Sequence, residues 1–160
     1  MHSNAQINLK MTEFVEILQD YNRKTEWDPN FAEGYKVMDI GDNVQLHYLR
    51  TKKVAVVSSR DQYMLICNRY IEPENSPNGK RTLIIGTRSL DHDKFPPKPG
   101  YVRAFTFMSG YYIEEIEPGK LDVHFLLESD FKISLFVQKQ VAPKNTNFPY
   151  FLQQWALKKR

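Results

Sequence analysis

The sequence predicts an α+β fold: an antiparallel sheet of about six strands, with one amphipathic helix before it and one after it on the same side. Three observations carry this. Apolar residues recur at helical spacing near the start, short alternating segments joined by turn residues fill the middle, and a second helical stripe closes the chain.

Within residues 12–23, Phe14, Ile17, Leu18 and Tyr21 stand at i, i+3, i+4 and i+7, the stripe of an amphipathic helix, and Thr12 suits its N-cap. After Pro29 the period changes to two, giving strands over residues 35–40, 44–50, 61–70, 81–90, 101–116 and 121–129. Gly41-Asp42-Asn43, Pro77-Asn78-Gly79 and Pro118-Gly119-Lys120 supply turn chemistry between neighbours, and connections this short require antiparallel pairing. Residues 91–100 differ, being charged and holding Pro96, Pro97 and Pro99, and are expected as an exposed loop. The closing helix shows Phe148, Phe151, Leu152 and Trp155 on one stripe and ends in Lys158, Lys159 and Arg160, where cations suit the helix dipole. Pro143 and Pro149 interrupt it or set its start.

Composition narrows the function. At 160 residues, 41% hydrophobic and 26% charged, the chain reads as one globular domain over residues 1–160. No apolar run reaches the roughly 18 to 20 residues of a spanning helix, and the polar first ten residues lack the core of a secretion signal, so a cytoplasmic setting is expected. The single cysteine, Cys67, forms no internal disulfide and reads as a small buried packing residue. A net charge of +3 from 22 basic and 19 acidic residues is too small to argue for nucleic acid.

Catalytic chemistry finds no support. No Ser-His-Asp order, metal quartet or glycine-rich phosphate loop is present, so the reading is a binding protein with no catalytic residue, metal or cofactor. His47 and His124 fall within strands and read as satisfied histidines, and Asp91-His92-Asp93 as a solvated run. Aromatics are plentiful at 13%. In the strand from residue 101, Phe105 and Phe107 alternate with Ala104 and Met108, so one face packs on the core and the other lines a cavity or lies under helices and loops. Arg60 and Asp61 are consecutive on a strand, point to opposite faces and need separate partners, with a ligand contact by Arg60 as the alternative. Arg88 and Arg103 require a carboxylate such as Glu128 or Asp130, or an anionic ligand group.

The landmarks Trp27-Asp28 after the first helix, Arg60-Asp61 before a strand, Thr87-Arg88-Ser89, Pro97-Lys98-Pro99-Gly100-Tyr101-Val102-Arg103-Ala104, Ser109-Gly110-Tyr111-Tyr112-Ile113 and Asp130 follow in order over residues 9–157. This series resembles the StAR-related lipid transfer (START) family. The resemblance implies a helix-grip fold, a curved antiparallel sheet around a C-terminal helix with a tunnel for one lipid, and it makes the loop over residues 91–100 a lid at the tunnel mouth. It also implies an N-terminally truncated domain, since the family begins with a further helix and about three strands.

The family's phosphatidylcholine carriers hold the phosphate with the basic residue before the Trp-Asp pair, a place filled here by Lys24 or Arg23, with Asp28 orienting it. Tyr48 and Tyr63 lie near where the family builds an aromatic cage for choline. The arginine of sterol carriers is replaced by Tyr63-Met64-Leu65-Ile66. The resemblance therefore implies a monomer that carries one phospholipid between membranes through transient peripheral contact. The alternatives are a lipid-sensing or protein-interaction module and a sterol or ceramide carrier.

Overall fold

The computed structural model describes residues 1–53, 57–134, 136–137, 139 and 147–159; Pro143 and Arg160, invoked for the closing helix, lie outside them. Strand β1 (His2–Ile7) is followed by helices α1 (Met11–Gln19) and α2 (Tyr21–Lys24). Then come β2 (Phe31–Gly41), β3 (Val44–Thr51), β4 (Arg60–Ile71), β5 (Thr82–Ser89), β6 (Val102–Arg103), β7 (Phe105–Glu117), β8 (Lys120–Asp130) and helix α3 (Phe148–Lys158). The strands form one sheet in the order β1-β8-β7-β5-β4-β3-β2, with β6 beside the start of β4.

The first strand corrects the sequence reading of the polar start. Ser3, Ala5 and Ile7 turn inward while His2, Asn4 and Gln6 face solvent, an alternation half hidden by the serine. β1 pairs antiparallel with β8, from His2↔Leu126 to Ile7↔Leu121, a partner more than a hundred residues away in sequence.

The first helix begins one residue before Thr12 and divides at Asp20. The Glu13 carboxylate accepts the Lys10 N–H at 2.8 Å, and the Asp20 carboxylate accepts the Asn22 N–H at 3.0 Å, which starts α2. The expected strand over residues 101–116 breaks at Ala104, because β6 runs parallel to β4 through Arg60↔Val102 and Asp61↔Arg103 before the chain turns into the antiparallel ladder of β7. A Cβ on Gly110 of β7 would stand 2.1 Å from the Ile85 carbonyl oxygen, so only glycine permits that strand contact.

Helices cover one face of the sheet. Met11, Phe14 and Ile17 of α1 meet Leu152, Trp155 and Ala156 of α3 over Leu83, Ile113, Leu121 and Val123, a cluster in which each large side chain contributes roughly 1.5–3 kcal/mol. The opposite, outer face carries a smaller cluster of Leu46, Tyr48 and Tyr63, joined by Leu65, Leu90 and Phe95. The residue 91–100 loop belongs to this second cluster.

Arg103 ties that loop down. Its guanidinium donates to both Asp61 carboxylate oxygens at 3.0 and 3.1 Å and to the Phe95 and Pro96 carbonyls, and the Lys98 N–H donates to Asp61 at 3.2 Å. Asp61 is wholly buried, so removing its cation strands a charge in the protein interior. Arg103→Ala is expected to lower stability by about 3–5 kcal/mol, read as a fall in the urea midpoint. An unchanged midpoint refutes this.

Candidate functional site

Between the sheet, the first two helices and Phe148 of α3 lies a cavity of about 200 Å³. Its surface is mainly apolar, supplied by Val15 and Leu18 of α1 and by Leu49, Met64, Ile85 and Phe125 of the sheet. Residues two apart on a strand share a face, so Gln45, His47 and Leu49 enter the cavity while Leu46 and Tyr48 leave it.

Two charged side chains enter from the helical side. α2 ends at Lys24, and Pro29 disfavours helix at the preceding residue, leaving Lys24 and Asp28 directed into one cavity. The Lys24 ammonium lies 4.5 Å from the Trp27 ring centre and 5.6 Å from that of Phe31. Burial pulls its pKa below the ordinary lysine value, and Asp28 partly opposes this. Asp28 is buried and accepts the Asn30 N–H at 3.0 Å; burial pushes its pKa up, against the pull of Lys24. Among the described residues the Lys24 ammonium makes no hydrogen bond and no ion pair within 4.0 Å.

A neutral pair lies beside them. His47 is buried, with Nδ1 2.6 Å from the Tyr21 hydroxyl and Nε2 3.0 Å from Gln45 Oε1. Since the glutamine oxygen only accepts, Nε2 carries the proton and the tyrosine donates to Nδ1. Tyr21, Gln45 and His47 were not singled out as ligand contacts by sequence. The signal was the strand parity that separates His47 from Tyr48, masked by the greater aromatic appeal of Tyr48.

The remaining candidate residues lie elsewhere. Arg23 points away from the cavity, pairing with Glu26 at 3.9 Å and lying 5.2 Å over the Trp155 ring. Arg60 donates to the carbonyls of Ser58, Phe131 and Lys132, clamping the chain after β8 to the start of β4. Arg88 is exposed on β5, and the carboxylate partner of Arg103 is Asp61 rather than Glu128 or Asp130. Phe107 is 51% exposed, because a register shift between Thr106 and Met108 resets the alternation of β7 and turns it out. Cys67 is exposed, against the expectation of burial.

Tyr48 and Tyr63 do form part of an aromatic row, but outside the cavity. Tyr35, Tyr48 and Tyr63 oppose one another on β2, β3 and β4, with ring centres 5.1 Å apart at each step, and Phe95 continues the row at 4.9 Å. Two cations lie on it: Lys98, 3.8 Å from the Tyr48 ring centre and donating to the Tyr35 hydroxyl at 3.0 Å, and Arg103, 5.2 Å from the Tyr63 ring centre. The loop over residues 91–100 is thus docked on the outer face and lends no residue to the cavity wall, whereas the resemblance placed it at the tunnel mouth. Burial, with Asp61 nearby, pushes the Tyr48 hydroxyl up to about 12.

The START domain family matches residues 4–142. The chain belongs to this family. Mouse and human START domain-containing protein 10 are each 28% identical over 133 residues, which is 83% of this chain and 42% of theirs, so the chain spans less than half the length of these relatives. The solved human StAR-related lipid transfer protein 5 superposes with a TM-score of 0.83 at 21% identity, covering 98% of this chain and 74% of that one. Human STARD10 gives 0.79 at 21%, covering 98% and 62%. The eight-stranded sheet with its closing helix is the helix-grip fold of these structures.

His47 gives the site a pH dependence of known sign. Burial lowers its pKa below 6.5, so the unfolded chain takes up the proton first on acidification. Its contribution is full above about 6.5 and declines as the pH falls through that value, levelling off below the folded pKa. Thermal unfolding of His47→Gln is expected to lose less stability than wild type between pH 7 and pH 5. Parallel profiles contradict the assignment.

Proposed function

We propose that the cavity receives a single phospholipid, with its phosphate at Lys24, and that the protein moves this lipid between membranes without chemical change. The observation that supports this reading is the ammonium of Lys24, drawn into a mainly apolar cavity, below its ordinary pKa, with no hydrogen bond or ion pair among the described residues. A buried cation left this way is costly, and a phosphate oxygen repays the cost with a charge-assisted hydrogen bond. Asp28 completes a zwitterionic site, its carboxylate suited to the ammonium end of a choline or ethanolamine head group.

The acyl chains supply the drive. A diacyl lipid has on the order of 30 methylenes at about 0.8 kcal/mol each, so single molecules require a container. At about 200 Å³ the cavity is smaller than the roughly 300–1,000 Å³ of ligand pockets, so loading a diacyl lipid requires a wall to move. α3 is the wall we assign to this. It is held by side-chain contacts, Trp155 Nε1 to Glu26 at 3.0 Å, Lys159 to Glu26 at 3.3 Å and Gln153 to the Gln6 carbonyl at 2.8 Å. Its end exposes Leu157 beside Lys158 and Lys159, an apolar and cationic tip suited to transient contact with an anionic membrane at about 1 kcal/mol per cation. Among the described residues no helix is long and apolar enough to cross a membrane.

Transfer of fluorescent phosphatidylcholine between liposomes tests the reading. Wild type should exceed the protein-free rate, Lys24→Ala should lower lipid uptake about tenfold or more, and Arg23→Ala should leave it nearly unchanged. Equal losses in the two variants, or no transfer by wild type, count against the phosphate site and the carrier function respectively.

A further inference from the structure

The outer face of the sheet is only partly covered. The residue 91–100 loop lies over its Tyr48 and Tyr63 end, and the surface formed by β5, β7 and β8 stays open. There Met108 is 58% and Leu126 49% exposed, and Ile84 and Tyr112 lie open beside them. Apolar residues scattered singly over a surface need no explanation, whereas a contiguous patch marks an interaction site.

The relief and the charges of this patch fit one partner. Leu126 of β8, Gly110 of β7 and Gly86 of β5 stand side by side in register, so a projecting leucine on one flank of β7 matches a hollow on the other. A Cβ on Gly86 would meet only the Cys67 sulfur, at 3.2 Å, and Gly86 has no positive φ, so neither backbone geometry nor strand packing demands glycine there. A strand glycine of this kind marks the close approach of another chain. One row further along, Glu128 of β8 pairs with Met108 of β7, and Arg88 of β5, next after the Thr87↔Ser109 pair, flanks Met108 from the other side. Acid and base thus flank β7 as leucine and hollow do. Both are exposed, and neither has a hydrogen bond or ion pair among the described residues.

We propose that this face binds a second copy of the chain, with a two-fold axis running along β7 between the two sheets. Such an axis lays β8 of one copy over β5 of the other and keeps every residue in its row. Leu126 then enters the hollow at the second copy's Gly86, Glu128 meets the second copy's Arg88, and Met108 and Tyr112 each meet their own counterpart. Every contact off the axis occurs twice, as a self-complementary interface requires. Sheets packed face to face in this way lie about 10 Å apart, within reach of leucine, glutamate and arginine side chains. The cavity lies on the opposite face of the sheet, so the pairing is independent of the lipid reading.

Sedimentation velocity of the full chain over a concentration series tests the pairing. Wild type should pass from one chain to two at roughly 10–100 μM, the strength of a small interface. Arg88→Glu and Glu128→Arg should each weaken the dimer about tenfold or more by bringing like charges face to face, and the double variant should recover it. Leu126→Gln, which removes the projecting group and leaves the charges, should weaken it likewise. A wild-type chain that stays single at every concentration overturns the self-association, and the face then belongs to a different partner. A dimer that survives both charge reversals and Leu126→Gln, or a double variant that stays single, overturns this face as the interface.

Discussion

Two consecutive residues of opposite charge at the start of β4 hold the chain from both sides of the sheet. Arg60 points to the cavity side and clamps the Phe131 and Lys132 carbonyls, fixing where the chain leaves β8. Asp61 points to the outer side and takes both the Arg103 guanidinium and the Lys98 N–H, fixing β6 and the proline-rich loop. Strand alternation makes this division unavoidable, since neighbours on a strand face opposite ways. One dipeptide thus settles which segments cover the outer face and leaves the helix-covered face free to enclose a cavity.

The two faces answer the same chemical problem differently. Each carries aromatic side chains and a lysine. Outside, Lys98 is satisfied by the Tyr35 hydroxyl and the Tyr48 ring, and its pKa is raised, chiefly by that hydrogen bond. Inside, Lys24 rests against Trp27 and Phe31, and burial lowers its pKa. The outer cation stabilises the fold; the inner one is held at a cost. Unfavourable burial of this kind is retained where function requires it, which is why Lys24 rather than the more conspicuous tyrosine row anchors the functional reading.

Much of the architecture was legible in the sequence because local signals and tertiary roles agreed. The stripe of Phe14 and Ile17, the turn at Asn43 with its positive φ, and the stripe of Leu152 and Trp155 each work in the fold as their spacing foretells. The START resemblance rested on residues that the structure gives jobs: Asp61 and Arg103 as an ion pair, Gly110 as a close strand contact, Trp27 as core. β1 was not legible, because Ser3 dilutes its apolar face and its partner β8 is remote in sequence. The site was harder. Parity put His47 inside and Tyr48 outside, the register shift after Thr106 turned Phe107 to solvent, and an aromatic row looks alike in sequence whether its cation comes from a ligand or from Lys98.

The central claim is that one phospholipid occupies the cavity between the sheet and its helices. Native mass spectrometry of the protein after exposure to phosphatidylcholine vesicles, and separation from them, addresses it most directly. The account predicts a single added mass of one phospholipid per chain. A spectrum showing only the lipid-free chain, or several lipids bound to each chain without a fixed ratio, contradicts it.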